Sequence, residues 1–188
     1  MNTEKFNKIY NRATLRVHKL TFLSSYREKY LTLNLRDKIL IYLSLRDFNK
    51  CLRWKPNHWP SMFLKGKIYQ RLGDFNKALN LFEQAYSIEK FNTDILREAA
   101  LTCIHIDNPE KAIFYDTEAL KLKPDDYALL GNFAMHLLLN FKDQESLETI
   151  EKALLVNPGN KINEDIKMVV ENVINGKMKR PTCKETIG

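Results

Sequence analysis

The chain has 188 residues, 44% of them hydrophobic, with 30 Lys and Arg against 23 Asp and Glu for a net charge of +7. A sequence of this size and apolar content buries a core of its own, which excludes a disordered chain and one that depends on disulfides. Six glycines and six prolines are few for the length, and the Lys-, Leu-, Glu- and Asn-rich stretches between them favour helix over strand, so an all-α fold is expected.

From the N-terminus, Phe6, Ile9, Tyr10, Ala13, Val17 and Leu20 fall on one face of an amphipathic helix running from about Thr3 to His18 or Leu20. Its opposite face carries Lys5, Lys8, Arg12, Arg16 and Lys19. Residues 1–24 thus read as a basic N-terminal helix, a cap or the remnant of another repeat. No apolar run here is long enough for a signal peptide or a membrane span, so a cytoplasmic location is expected. Charge is concentrated at this end: residues 1–58 hold 13 Lys and Arg against 4 Asp and Glu, and residues 59–188 hold 17 against 19. Such a basic third can steer acidic proteins, nucleic acid or anionic lipid. No zinc finger, RNP-like motif or base-stacking platform accompanies it, and no specific nucleic-acid reading is expected.

Internal repetition fills the middle of the chain. Segments Trp59 to Asn92, Thr93 to Asp126 and Tyr127 to Asn160 align at 34 residues without a gap. The eighth position holds Gly66, Ala100 and Ala134; the twentieth holds Ala78, Ala112 and Ser146; the twenty-seventh holds Ala85, Ala119 and Ala153. Antiparallel helices whose axes approach within ~8 to 10 Å need small side chains at the crossing, so each block reads as a helix hairpin. Lys90, Pro124 and Pro158 close the blocks, and a proline there stops a helix. Counting back gives a more divergent block, Ser25 to His58, with Phe48, Cys51 and Pro56 in register but Thr32 and Ser44 at the small positions.

Beyond the blocks, Ile162, Ile166, Val169, Val170 and Val173 mark one stripe of a C-terminal capping helix over residues 161–176, ended by Gly176. Residues 177–188 read as a basic flexible tail with no fold of its own.

Met62, Gly66, Tyr69, Ala78, Phe82 and Ala85, with Gly73 and Asp74 at the turn, resemble the tetratricopeptide repeat. The resemblance covers residues 25–160 as four units, 25–58 (divergent), 59–92, 93–126 and 127–160. It departs from the family pattern at Asp116, which takes an aromatic position, and at Cys103, which takes a tyrosine position. The resemblance implies a right-handed α-solenoid of helix hairpins with N- and C-terminal capping helices.

Enzyme constellations are absent: the sequence has no phosphate-binding glycine loop, no G-x-S-x-G, no H-E-x-x-H and no C-x-x-C. His18, His58, His105 and His136 lie far apart, and Cys51, Cys103 and Cys183 are an odd set without zinc-ligand spacing, as for reduced thiols. No catalytic residue, cofactor or metal is expected.

In the resembling family the first, or A, helix of each hairpin lines a concave groove. Carried over by position, the groove residues are Lys29 and Tyr30 in the first unit and Phe63, Leu64, Lys67 and Arg71 in the second. The third contributes Arg97, Leu101, Ile104 and His105, and the fourth Asn132, Met135 and Leu138. With Phe63, Leu64, Leu101, Ile104, Met135 and Leu138 partly exposed, such a groove is an apolar patch of the kind that marks a binding surface. The resemblance therefore implies a non-catalytic module that holds a peptide segment of a protein partner, adaptor or chaperone-like. The alternative is a scaffold or a homo-oligomer subunit whose groove is covered; the less favoured third is an anionic surface bound by the basic N-terminal helix. The family's clamp for acidic chaperone tails is not built, because Glu98 stands where a cation is required.

Overall fold

The computed structural model describes residues 2–21 and 33–186; the expected groove residues Lys29 and Tyr30 lie outside them. The described elements are ten helices: α1 (Thr3–Thr21), α2 (Leu35–Trp54), α3 (Trp59–Arg71), α4 (Phe75–Ile88), α5 (Thr93–His105), α6 (Pro109–Leu122), α7 (Tyr127–Leu139), α8 (Asp143–Val156), α9 (Lys161–Ile174) and α10 (Cys183–Thr186). They gather into two compact units divided between Lys90 and Phe91.

In the first unit, α3 and α4 form the hairpin of residues 59–92. Pro60 sits in the first turn of α3, where its missing N–H costs nothing. After α3 the backbone turns through Gly73 at φ 77°, and Asp74 caps α4 by accepting from the Lys77 N–H at 3.2 Å. The sequence pairs Gly66 with Ala78 at the crossing; the structure sets Gly66 against a ring. A Cβ built on Gly66 lies 2.5 Å from Cε1 of the fully buried Phe82.

The first hairpin differs from the sequence expectation. Its two described helices are α1 and α2, so the helix read as a cap or the remnant of another repeat takes the place of an A helix. Ser44 Oγ on α2 donates to the Ala13 carbonyl on α1 at 3.2 Å, and Ser146 Oγ on α8 makes the same bond to the Ala134 carbonyl on α7 at 2.7 Å. Ala13 thus stands where Ala134 stands, and α3 packs on both α1 and α2. The cause is the apolar pattern: Ala13, Val17, Ile41, Phe48, Leu64 and Ile68 close one core cluster, and Phe6, Ile9 and Cys51 close a second beside it. Arg36 and Asp37 lie in the first turn of α2, where Asn34 and Asp37 form a capping box. On the basic face of α1, Arg12 Nε and Arg16 Nη1 donate to Oδ2 of the buried Asp47 at 3.0 and 2.8 Å. Two cations of that face therefore compensate a core carboxylate.

The second unit holds two hairpins, α5 with α6 and α7 with α8. Asn92, Asn108 and Asp126 cap α5, α6 and α7 with their side-chain oxygens. At the cap of α8 the register places Lys142, which makes no such bond. The turns pass through Asp107 at φ 60° and Phe141 at φ 61°, in step with Gly73. Helix α9 packs on α7 and α8 with Val170 buried, and Asn163 Nδ2 donates to the Tyr127 carbonyl at 3.1 Å. A side chain on Gly131 would strike Asn163, so the missing bulk there admits α9.

Residues 177–186 depart from the expected flexible tail. They turn back after Gly176 at φ 67°, form α10, and pack it on α5. The reason is chemical: Arg180 finds a carboxylate and a carbonyl on the body, and Cys183 is buried at 4% exposure.

Candidate functional site

The A helices present the expected groove positions unequally. On α3, Leu64 belongs to the core cluster with Val17, Ile41 and Phe48, so it is not the partly exposed wall residue that the sequence suggests. Phe63 is half-buried at the edge of that core, with its ring 5.7 Å from that of Phe82. Lys67 and Arg71 are half-exposed.

In the second unit, Ile104 and Leu138 are likewise buried, at 4% and 0% exposure. Both occupy the twelfth position of their repeat, at the end of the helix where the chain turns and where the C-terminal segment lies: Arg180 reaches the Leu138 carbonyl and α10 packs on α5. What stays accessible on α5 and α7 is a narrower stripe. Leu101 and Met135, at the same ninth position as Lys67, are half-buried, flanked by half-buried Arg97, His105 and Asn132. Arg97 pairs with Asp94 at 3.0 Å, and burial pushes the His105 imidazole down to about 4, which keeps it neutral at physiological pH. The stripe therefore offers two apolar side chains, a neutral ring, an amide and a compensated cation. Such groups suit packing and hydrogen bonding to a peptide.

Sequence reasoning missed a buried polar pair. His136 Nδ1 on α7 lies 2.6 Å from Asp116 Oδ2 on α6, with side-chain exposures of 5% and 1%. Asp116 Oδ1 has no hydrogen-bond partner among the described residues. The signal was present in the occupation of an aromatic position by Asp116, but the separation of the histidines in sequence hid its partner. Among the described residues no three His, Cys, Asp or Glu side chains gather as a metal site, and no helix is long and apolar enough to cross a membrane.

The paired helices, the small residues at their crossings and the period of 34 residues define an all-α repeat protein built of helix hairpins. The tetratricopeptide-repeat family model matches residues 59–92. A crystal structure of MamA matches with a TM-score of 0.67 at 17% identity, over 84% of this chain and 92% of its own. That of YrrB, described as a tetratricopeptide-repeat protein with an unusual peptide-binding site, matches with a TM-score of 0.67 at 16% identity, over 95% of this chain and 91% of its own. The chain thus has the fold of tetratricopeptide-repeat proteins, and its residues 59–92 match that repeat. Among curated proteins, the 131 kDa subunit of transcription factor tau from Saccharomyces cerevisiae is 27% identical over 66 residues. That match takes in 35% of this chain and spans 6% of the length of the subunit.

Proposed function

We propose that the chain is a non-catalytic protein–protein interaction module that holds a peptide segment of a partner against the inner stripe of α5 and α7. The observation that carries this reading is the contrast at successive positions of those helices: Ile104 and Leu138 are buried, whereas Leu101 and Met135 remain half-exposed at equivalent places one repeat apart. Phe63, Lys67 and Arg71 on α3 form a similar but more basic strip in the first unit. An adaptor or chaperone-like role follows from a surface that binds without reacting, and the buried Cys51, Cys103 and Cys183, none of them in a disulfide, fit a reducing, cytoplasmic setting.

The test pairs a pull-down with substitution. Partners recovered on the intact chain and lost on Leu101→Glu with Met135→Glu, with helical circular dichroism unchanged, support the stripe. Retention of every partner by the folded double variant refutes it. Light scattering addresses the alternative, since a concentration-independent dimer that the double variant dissociates would make the stripe a self-association surface.

A further inference from the structure

Residues 177–186 come back from the end of α9 across the A-to-B turns of both hairpins of the second unit. Arg180 donates through Nη1 and Nη2 to the two carboxylate oxygens of Asp143 at 2.7 and 2.8 Å, and through Nη1 to the Leu138 carbonyl. This is the bidentate fork that distinguishes arginine from lysine. The guanidinium carbon lies 4.6 Å from the centre of the Phe141 ring. Three residues on, Cys183 is buried and in hydrogen-bonding contact with Asp107, while Thr182 and Glu185 cap the short α10 that packs on α5.

The receiving surface carries two marks of contact with the segment. Asp107 and Phe141, which meet the segment, are non-glycine residues in the left-handed region, whereas the matching turn of residues 59–92 uses Gly73. A phenylalanine in that conformation is disfavoured, and Phe141, although 78% exposed, sets its ring against the Arg180 guanidinium. The second mark is charge. Residues 91–176 hold 8 Lys and Arg against 15 Asp and Glu, and residues 177–188 hold 4 against 1. A basic segment is seated on an acidic body.

We infer that the row of turns formed by Asp107, Leu138, Phe141 and Asp143 is a peptide-docking surface, filled here by the chain's own C-terminal segment. Its partner in trans is a peptide with an arginine followed three residues later by a small side chain at the start of a helical turn. Arginine is read by the Asp143 fork and the Phe141 face, and the small residue by the space that Cys183 fills. The surface is separate from the stripe of Leu101 and Met135, and the inference does not rest on that reading. Because a tether of a few residues places the segment at a millimolar effective concentration, the closed chain competes strongly against any free peptide.

The test is a fluorescence-anisotropy titration of a labelled peptide of sequence GKMKRPTCKETIG into full-length protein. Arg180→Glu frees the surface, and this variant is expected to bind the peptide at least tenfold more tightly than the unaltered chain. Adding Asp143→Lys is expected to abolish that gain, while adding Leu101→Glu with Met135→Glu leaves it intact. Arg180→Gln serves as a second opened variant, and circular dichroism checks that each is folded. Equal binding by the opened and unaltered chains, or binding indifferent to Asp143→Lys, overturns the inference. Loss through Leu101→Glu with Met135→Glu alone would overturn it too, by assigning the peptide to the other surface.

Discussion

His136 and Asp116 join across α6 and α7 at the two places that Ile68 and Phe48 hold in the first unit, each 68 residues, or two repeats, upstream. One interface is closed by a ring and a branched chain and the other by a hydrogen-bonded ionisable pair. Removing one member strands the other in the core, so Asp116→Ala or His136→Ala should each lower stability by about 1 to 3 kcal/mol. The double change Asp116→Phe with His136→Ile, which installs the upstream pair, should be neutral or stabilising. Urea unfolding of the four chains tests this, and a double variant weaker than both singles contradicts it.

Gly66→Ala places a methyl group 2.5 Å from a ring atom of Phe82, which is fully buried and has little room to swing aside. Overpacking of this kind costs roughly 1 to 3 kcal/mol. Phe82→Leu in the same background should recover part of the loss, which thermal unfolding can measure.

Lys142 stands where Asp74 and Asn108 cap the equivalent helices, and α8 has no side-chain cap. Lys142→Asn should supply one and add about 1 kcal/mol. The expected readout is a rise in the unfolding midpoint with unchanged helicity.

His105 ties stability to pH. Burial holds its folded value at about 4, below the ordinary 6.5, so the folded chain takes up this proton less readily than the unfolded chain. The contribution is complete above pH 6.5 and is lost as pH falls through the folded value near 4. Urea midpoints at descending pH should therefore fall across that window, and His105→Gln should flatten the slope. An unchanged slope would place the effect in other groups, such as His58, which burial also lowers.

Much of the architecture is written in short-range pattern. Small residues at positions eight and twenty locate the crossing within a hairpin, that at twenty-seven the approach of the next one, and Asn or Asp at the block ends locates the caps, because each reflects a contact between elements close in sequence. The first hairpin was harder to read. Its A helix lies outside the period of 34, and only the bond from Ser44 to the Ala13 carbonyl reveals which helix occupies that place. For the candidate site, helical phase identified the accessible Leu101 and Met135 but overstated Leu64, Ile104 and Leu138, whose exposure depends on neighbouring elements that the phase does not encode. The seat of Arg180 on Asp143 joins residues 37 apart through a segment with no periodicity, which no local signal announces.

Three thiols outside any disulfide, one in each of α2, α5 and α10, make the molecule its own clock. Cys51 and Cys183 have their ionisation pushed upward by burial, the latter to about 11, and Cys103 is fully enclosed, so an alkylating reagent meets each sulfur only when its surroundings open. Cys183 should be labelled first, at a rate set by the breathing of a four-residue helix, and the other two at rates set by the melting of whole hairpins. Mass spectrometry of a timed alkylation would then resolve the hierarchy of motions without any engineered probe.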